Sequence, residues 1–392
     1  MMQNHILVIN CGSSSIKFAL ANPVSGEHVL SGLAEKLDSP DASLKWKGLD
    51  QGRRALGQAG HREALLGVVD LLQRLQLSCS GVGHRVVHGG EKFSSSCLVT
   101  ESSLSALREN SHLAPLHNPV NLLGIEAGME AFPDLPQVMV FDTAFHQTMP
   151  RRAYLYALPY ELYREQGIRR YGFHGTSHRY VCQEAAIRLE RPLEELALVS
   201  AHLGNGCSAT AVLGGESMDT TMGLTPLEGL VMGTRSGDID PSLHEFLGNT
   251  LNLTLAEVSS LLNKQSGLLG LSGRSNDMRE LLEAEAAGDE RAAIAIQVFV
   301  YRLAKSIAGL VVALGRLDAL IFTGGIGENS VPVRQRTLEL LSFLNLTCDP
   351  ELNRQHGQKN RGIISTGSSP CAMVIPTDEE IVIARDTAAL LP

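Results

Sequence analysis

Short apolar runs alternate with segments in which apolar residues recur at helical spacing, and this pattern predicts an α/β fold. The continuous runs predict buried strands at residues 6–9, 137–141, 196–203, 320–322 and 372–376. Helical spacing predicts helices at residues 62–77, 121–132, 180–189, 290–314 and 381–391. In the longest helix, the stripe from Ile294 to Leu314 is interpreted as a core face.

Two parts of the chain repeat one arrangement, a strand, a short polar turn and a second strand. The first copy spans residues 6–20 with its turn at 10–15, and the second spans 196–213 with its turn at 204–208. Residue identity between the copies is low. The shared arrangement nevertheless indicates an internal duplication of the fold.

The length of the chain favours two domains, because 392 residues are more than one core usually holds. Pro150 and the irregular residues around it mark the boundary between them. We therefore predict an N-terminal domain at 1–148 and a C-terminal domain at 149–379. The last helix, 380–392, is expected to pack back on the N-terminal domain.

The segment 169–179 places two histidines and three arginines beside two glycines. Arginine binds phosphate or carboxylate, and histidine titrates near neutral pH. A helix is predicted to follow, with Thr176 or Ser177 as its N-cap, and helix N-termini favour anions. The segment therefore predicts an anion-binding loop, and a basic surface loop is the alternative.

Two polar turns that follow strands are candidates for binding phosphate. The hairpin tip at 10–15 offers hydroxyls and backbone N–H groups, with Lys17 just beyond it, although an ordinary polar turn explains it equally well. Residues 323–330 form a Gly-rich turn before a helix, for which Asn329 or Ser330 is the expected cap and Pro332 lies in the first turn. The Walker sequence is absent, which argues against a P-loop fold.

Several further polar and charged residues are candidates for binding a ligand or for capping an element. Arg85 lies in an apolar strand and needs a partner or a ligand, so a simple salt bridge is the alternative. Asp142 follows a buried strand, where ligands of open α/β sheets gather, although a turn-capping role is also possible. Arg235 lies in a Gly-rich polar segment. Thr377 and Glu380 match a capping box for the last helix.

Charge, cysteine content and the length of apolar runs indicate which partners the protein binds and in which cellular compartment it lies. The formal net charge of −9 argues against nucleic acid as a general partner. Seven cysteines without a Cys-x-x-Cys pair indicate reduced thiols in a cytosol. No signal peptide is evident, and no apolar run approaches the roughly 18 residues that cross a bilayer. We expect a cytoplasmic protein that binds neither nucleic acid nor membrane.

Seven motifs, in order along nearly the whole chain, resemble the acetate kinase family. They are residues 8–15 (VINCGSSS), 84–90 (HRVVHGG), 141–146 (FDTAFH), 171–178 (YGFHGTSH), the loop ending at Arg235, 322–329 (FTGGIGEN) and 376–380 (PTDEE). Cys11 stands where many members carry alanine, which is a small change beside a strand.

The resemblance implies a fold of two duplicated domains of the actin, Hsp70 and sugar kinase type, which is ribonuclease H-like, with the active site in an interdomain cleft. It implies a homodimer that transfers the γ-phosphoryl group of ATP to acetate, directly and in line, giving acetyl phosphate and ADP. The implied metal is Mg²⁺, for which Mn²⁺ can substitute. Such a transfer needs positive charge more than covalent help.

The resemblance also assigns roles to individual residues. The catalytic residues are Arg85, Asp142, His174 and Arg235, where Asp142 is expected to orient Arg235 or a magnesium-bound water. The substrate residues are Arg85, Val87, Leu116, His117, Phe173 and Pro226. The nucleotide residues are Ser13, Lys17, His202, Leu203, Gly204, Asn205, Gly206, Asp277, Met278, Arg279, Gly325, Ile326, Gly327, Glu328 and Asn329. The metal residues are Asn10 and Glu379.

Three alternatives to an acetate kinase are considered. A propionate or butyrate kinase differs from it by one or two methylenes in the acyl pocket, each worth only about 1–3 kcal/mol of discrimination. A non-catalytic actin-like sensor should have lost a charged site residue, and none is missing. A sugar kinase would need a general base for a neutral hydroxyl, and Asp142 could serve.

Overall fold

The computed structural model describes residues 5–115, 117–367 and 369–391. Its strands are β1 (Ile6–Gly12), β2 (Ser15–Ala21), β3 (His28–Glu35), β4 (Ala42–Gly48), β5 (Gly52–Gly57), β6 (Gly81–Val86), β7 (Cys97–Leu98), β8 (Gln137–Phe141), β9 (Ala197–Leu203), β10 (Cys207–Leu213), β11 (Glu216–Thr220), β12 (Ala319–Thr323), β13 (Thr347–Cys348), β14 (Ser365–Thr366) and β15 (Cys371–Val374).

The α-helices are α1 (His61–Arg74), α2 (Glu101–Glu109), α3 (Asn118–Ala131), α4 (Arg151–Tyr154), α5 (Tyr160–Gln166), α6 (Gly175–Leu189), α7 (Leu243–Leu251), α8 (Leu255–Lys264), α9 (Gly267–Ser272), α10 (Met278–Ala286), α11 (Glu290–Leu314), α12 (Gly324–Asn329), α13 (Val331–Leu340), α14 (Pro350–Arg354) and α15 (Glu379–Leu390). The chain divides into two units. Unit 1 comprises residues 1–147 and 378–392, and unit 2 comprises residues 148–377.

The central sheets of the two units share one topology. In unit 1 the strand order is β5-β4-β3-β2-β1-β6-β8-β7, and in unit 2 it is β11-β10-β9-β12-β15. In unit 1 the first three strands pair antiparallel, and β6 and β8 continue in parallel. In unit 2 β9, β10 and β11 pair antiparallel, and β12 and β15 continue in parallel. The predicted α/β fold with two copies of one arrangement is confirmed.

Helices cover both faces of the unit 1 sheet at β6. A Cβ placed on Gly83 would overlap Thr387 of α15, while the neighbouring His84 lies against Gly128 of α3. Successive strand residues point to opposite faces, so α3 and α15 pack on opposite sides of the sheet. On the α3 side, the core joins Leu7 and Ile9 of β1 to apolar residues of α1.

Helix α11 spans the range predicted for it, and its buried face carries Phe299, Leu303 and Ile307. Ile294 is 43% exposed, so it lies outside that face, contrary to the predicted stripe. By length and composition alone, α11 could cross a membrane, contrary to the expectation that no apolar run reaches that length. This is weak support for a membrane span, because core helices of globular proteins have the same properties and much of α11 is buried in the protein.

Two helix starts differ from the prediction because of local backbone geometry. Helix α6 begins at Gly175, and its N-cap is His174 in a left-handed conformation with φ 57°. Thr176 and Ser177 therefore lie inside the first turn and are not caps. Helix α15 is capped by the carboxylate of Asp378, which accepts from the N–H of Ile381, so the predicted capping box that begins at Thr377 is wrong.

The Gly-rich segment after β12 is helical, although its glycines predicted a turn. Gly324 has φ +75°, and a Cβ there would lie 2.9–3.0 Å from backbone atoms of Leu203. Only glycine fits this close approach, which lets α12 begin directly after the strand. Ser330 then stands at the N-cap of α13 with Pro332 in the first turn, as predicted, although its side chain makes no capping hydrogen bond.

The packing of α3 on β1 predicts a sensitive position at Gly124. A Cβ there would overlap Sγ of Cys11 and lie 2.8 Å from its Cβ. We expect Gly124→Ala to destabilise the protein by about 1–3 kcal/mol, as overpacking does, and to lower the melting temperature. Cys11→Ala should restore part of the loss, because it removes the overlapping sulfur.

Gly309 of α11 provides the matched control, because a Cβ there would meet no atom within 4 Å. Gly309→Ala should stabilise the helix by about 0.5–1 kcal/mol. Equal melting temperatures for Gly124→Ala and the unsubstituted protein would contradict the assigned packing.

Candidate active site

In unit 1, the predicted residues Arg85, Asp142, Asn10 and Glu379 form one cluster. Arg85 donates from Nε to Oδ1 of Asp142 at 3.2 Å, and its Nη2 donates to Oδ2 in a very short bond. Nη1 donates to Oδ1 of Asn10 at 3.4 Å, and Oε2 of Glu379 lies 3.9 Å from Nε. Asp142 therefore orients Arg85, a pairing across 57 positions that the sequence did not predict.

The cluster determines which donors of Arg85 remain for a ligand. Burial alone would lower the pKa of Arg85, but the charges of Asp142 and Glu379 outweigh it and raise the pKa. The Asp142 side chain is 1% exposed and that of Arg85 is 21% exposed, so the arginine side chain is partly exposed while its anchor is buried. A guanidinium has five N–H donors, and three point to Asp142 and Asn10. One donor on Nη1 and one on Nη2 are left by these contacts, and a guanidinium can bind a carboxylate through two such donors.

The predicted metal residues carry the oxygen ligands that magnesium prefers. Asn10 and Glu379 each offer a side-chain oxygen beside Arg85. The described residues contain no group of three or more His, Cys, Asp or Glu side chains suited to a metal. Magnesium is often held by one or two protein oxygens together with water and substrate phosphates, so two ligands suffice.

The other predicted residues of unit 1 have separate settings. Val87 is buried, and its N–H donates to Oδ1 of Asn121 at 3.0 Å. His117 stands at the N-cap of α3, and Leu116 lies outside the described residues. Ser13 is exposed in the two-residue turn between β1 and β2, while Lys17 forms an ion pair with Glu380.

The sequence missed Asn118 and Asn121, which hold the segment after β6. Oδ1 of Asn118 accepts from the N–H of His88 at 3.3 Å, and its Nδ2 donates to the carbonyl of the same residue at 2.9 Å. Nδ2 of Asn121 donates to the carbonyl of Cys11. Buried amides that pair with backbone are a sign of a fixed loop. Their only sequence signal was their position directly after the loop that contains His117.

In unit 2, His174 lies at the junction between a loop and α6. Its Nδ1 is 2.9 Å from Oγ of Ser208, and its ring stacks on His202 with centroids 4.3 Å apart. Phe173 beside it is buried. Nδ1 of His202 is 2.8 Å from Oγ of Ser177, which is in turn 2.8 Å from Oγ1 of Thr377. Contacts on its Nδ1 side and on one ring face thus fix the imidazole.

Arg235 and His174 converge on Gly206. A Cβ placed on Gly206 would lie 3.4 Å from Nη1 of Arg235 and 3.6 Å from Nε2 of His174. Nη1 of Arg235 also donates to the carbonyl of Pro226 at 3.4 Å. The glycine leaves room for a small group between the two side chains.

Arg235 differs from Arg85 in having no carboxylate within 4 Å among the described residues. Asp238, which follows it closely in sequence, accepts instead from the N–H of Gly229. Burial lowers the pKa of Arg235, because water is removed without a full counter-charge. A half-buried cation with this environment favours an anionic ligand.

A cavity of about 910 Å³ in unit 2 contains most of the predicted nucleotide residues. Its lining residues are Gly204, Asn205, Ser275, Asn276, Asp277, Met278, Arg279, Glu280, Leu282, Gly325, Ile326, Asn329, Ser330, Val331 and Pro332. The predicted residues His202, Leu203, Gly206, Gly327 and Glu328 lie outside that lining. The lining residues that were not predicted lie within three positions of predicted ones, so extending each motif by that much would have found them.

Two charged side chains hold the helix α12 beside this cavity. Oε1 of Glu328 accepts from the N–H groups of Gly324 at 2.9 Å and Thr377 at 3.2 Å, so this predicted nucleotide residue supports the backbone. Arg334 is fully buried, and its Nη1 donates to the carbonyls of Gly327 and Glu328 at the helix end. A cation there complements the helix dipole. Neither role was predicted from the sequence.

Asp277 has a structural role at the edge of the cavity. It caps α10 by accepting from the N–H of Arg279, and it pairs with that residue's guanidinium. The hydrogen bonds from the Arg279 side chain and backbone lower the pKa of Asp277 to about 2. The carboxylate therefore stays ionised at neutral pH.

Comparisons with known proteins agree with this arrangement. The Acetokinase family profile matches residues 5–385. The chain is 56% identical over 393 residues to the acetate kinase of Ectopseudomonas mendocina, with both chains covered completely. Among solved structures, a propionate kinase from Francisella tularensis superposes with a TM-score of 0.94 at 45% identity, covering 99% of this chain and 100% of that one.

The Porphyromonas gingivalis acetate kinase superposes with a TM-score of 0.92 at 41% identity, covering 99% of this chain and 100% of that one. The predicted family and the predicted enzyme class, a kinase that acts on acetate, are therefore confirmed. This chain belongs to the acetokinase family.

Proposed function

We propose that the protein transfers the γ-phosphoryl group of ATP to acetate, forming acetyl phosphate and ADP, through the residues described above. The observation that carries this assignment is the space beside Gly206. Arg235 and His174 converge there, and Arg235 has no carboxylate within 4 Å among the described residues. A phosphoryl group placed there would meet two donors and supply the counter-charge that Arg235 lacks.

The chemistry requires no general base. A carboxylic acid with a pKa near 4 is ionised at neutral pH, so acetate is already a nucleophile. Asp142, which is held by Arg85, then serves to orient that arginine rather than to accept a proton. Catalysis consists of positioning and of stabilising negative charge during in-line transfer. Magnesium, held by Asn10 and Glu379, would neutralise charge on the nucleotide phosphates.

Acetate is proposed to bind to the free Nη1 and Nη2 donors of Arg85. The family resemblance assigns selection of the acyl group to Val87, Leu116, Phe173 and Pro226, and we propose that the 910 Å³ cavity of unit 2 holds the nucleotide. The resemblance of the chain to its family further supports a cytoplasmic homodimer that binds neither nucleic acid nor membrane.

Propionate is the second candidate acceptor. A propionate kinase is among the similar structures, which supports testing propionate beside acetate. A pocket discriminates one methylene by about 10–200-fold. We expect kcat/KM to be highest with acetate, lower with propionate within that range, and undetectable with glucose. Rates with the three acceptors, ATP and Mg²⁺ measure this. A higher kcat/KM with propionate would reassign the substrate, and turnover of glucose would contradict a carboxylate acceptor.

Arg85→Lys tests the carboxylate site. Lysine keeps the charge but cannot bind Asp142 and still present two parallel donors. We expect the KM for acetate to rise at least about tenfold and kcat to fall, since a bidentate charged contact is lost. The KM for ATP should stay within about twofold.

Arg108→Lys is the matched control in unit 1, because Arg108 pairs with Glu126 on the surface. Its kinetic constants should equal those of the unsubstituted enzyme. An Arg85→Lys variant with unchanged kcat/KM for acetate would exclude the bidentate contact. An equal rise in the KM for ATP would assign Arg85 to the nucleotide or to folding.

Gly206→Ala tests the space between Arg235 and His174. The new methyl group would make ordinary contacts at 3.4–3.6 Å, so the melting temperature should not change. The same methyl would occupy the proposed phosphoryl position, and kcat should fall by about 10²-fold, as when a transition-state donor is misplaced. A stable Gly206→Ala enzyme with full kcat would show that the phosphoryl group lies elsewhere.

A further inference from the structure

We propose that Ser208 and His178 are positioning residues that keep a proton on Nε2 of His174. The inference rests on the proposed function, in which Nε2 of His174 donates to the transferring phosphoryl group. The residues behind His174 form a hydrogen-bonded chain that ends in the interior of unit 2. That chain has a definite direction, and the direction determines which nitrogen of His174 carries the hydrogen.

The chain runs through two histidines and two serines. Nδ1 of His174 is 2.9 Å from Oγ of Ser208, which is 2.8 Å from Nε2 of His178. Nδ1 of His178 is 2.7 Å from Oγ of Ser200, and Ser200 also hydrogen-bonds the thiol of Cys182. Ser200, His178, Ser208 and Cys182 are all fully buried.

Hydrogen counting links the tautomers of the two histidines. A serine hydroxyl has one hydrogen, so Ser208 can donate to only one of the two ring nitrogens that it contacts. If it donates to Nδ1 of His174, then Nε2 of His178 must donate to Ser208, and Nδ1 of His178 accepts from Ser200. If it donates to His178, every bond in the chain is reversed. The neutral rings therefore share one tautomer, both Nε2–H or both Nδ1–H.

The buried end of the chain favours the Nε2–H arrangement. In that arrangement both serine hydroxyls donate to imidazole nitrogens, which are good acceptors. In the reversed arrangement, the acceptor left for the Ser200 hydrogen among the contacts of the described residues is the sulfur of Cys182, which is a weak acceptor. Burial raises the pKa of the Cys182 thiol to about 12, so the sulfur keeps its own hydrogen and can donate to Ser200.

The tautomer matters because of what faces Nε2. The Nε2 edge of His174 lies 3.6 Å from the Cβ position of Gly206, beside Arg235. With its hydrogen on Nε2, a neutral ring donates to a phosphoryl oxygen there. With its hydrogen on Nδ1, the ring would direct a lone pair at an anionic oxygen. The hydrogen bond at one ring nitrogen commonly fixes the state of the other.

A double-mutant cycle tests whether Ser208 acts through His174. We expect His174→Ala to lower kcat by about 10²-fold, as for a lost transition-state donor. Ser208→Ala should lower kcat by about tenfold, a usual cost for a residue that orients another, with KM values for ATP and acetate unchanged. The double variant should be no slower than His174→Ala alone. An equal loss from Ser208→Ala with and without His174 would overturn the proposal.

Two further variants separate positioning from folding. Ser208→Thr keeps the hydroxyl and should retain most of kcat. Thr210→Val removes a buried hydroxyl two residues along the same strand, where it bonds Oγ1 of Thr220, and should leave kcat unchanged. If Thr210→Val reduced kcat as strongly as Ser208→Ala, the effect would be a general one of strand β10 and the proposal would fail.

Nitrogen NMR of ¹⁵N-histidine protein reads the tautomer directly, with the His174 signal assigned from its loss in His174→Ala. The neutral ring should show the Nε2–H pattern in the unsubstituted enzyme, and Ser208→Ala should weaken that preference. An Nδ1–H pattern in the unsubstituted enzyme would overturn the proposal. This measurement does not depend on catalysis. A His174→Ala enzyme with full kcat would therefore refute the role of His174 in the proposed function, while NMR would still decide the tautomer.

Discussion

Burial of guanidinium groups is the constraint on which the candidate site depends, since a buried cation must be matched by oxygen atoms. The protein meets this need in three ways. Arg85 is held by carboxylates, which raise its pKa. Arg334 is fully buried among backbone carbonyls and the side chain of Asn353, and burial lowers its pKa to about 10. Arg235 has one long bond to a carbonyl, at 3.4 Å, and its pKa is lowered by burial.

Each of these three environments suits its arginine to a different role. Arg334 donates from all three of its guanidinium nitrogens and stabilises the end of α12. Arg85 is fixed in direction but keeps two donors for a ligand. Arg235 is the least satisfied of the three, so it gains most from an incoming anion. A site for transferring a dianionic group needs this last kind of cation, because a guanidinium already neutralised by a carboxylate would offer less attraction.

The sequence predicted the elements and the family well, because both depend on local patterns. Strand β8 and helix α11 have the predicted bounds, and the motifs around Arg85, Asp142 and His174 identified the family. The pairing of Arg85 with Asp142 was not predicted, because it joins residues 57 positions apart whose proximity is set by the parallel pairing of β6 and β8.

Local geometry was also hard to predict where tertiary contacts override residue preferences. The glycines of α12 favour a turn, but Glu328 and Arg334 hold that segment as a helix. His174 adopts a left-handed conformation that its residue type disfavours, and contacts with Ser208 and His202 compensate. Such strained positions are common at functional sites, so these failures of local rules themselves point to the same part of unit 2.

The duplicated topology explains how one arrangement came to offer two different surfaces. In both units a hairpin follows the first central strand, with its tip beside the parallel strands. In unit 1 the tip is Ser13-Ser14 and presents hydroxyls on an exposed turn, with Asn10 and Arg85 below it. In unit 2 the tip contains Gly204 and Gly206, and Arg235 and His174 approach the position that a side chain at residue 206 would take. The two copies thus share a strand arrangement, and the side chains at the hairpin tip determine which groups can approach it.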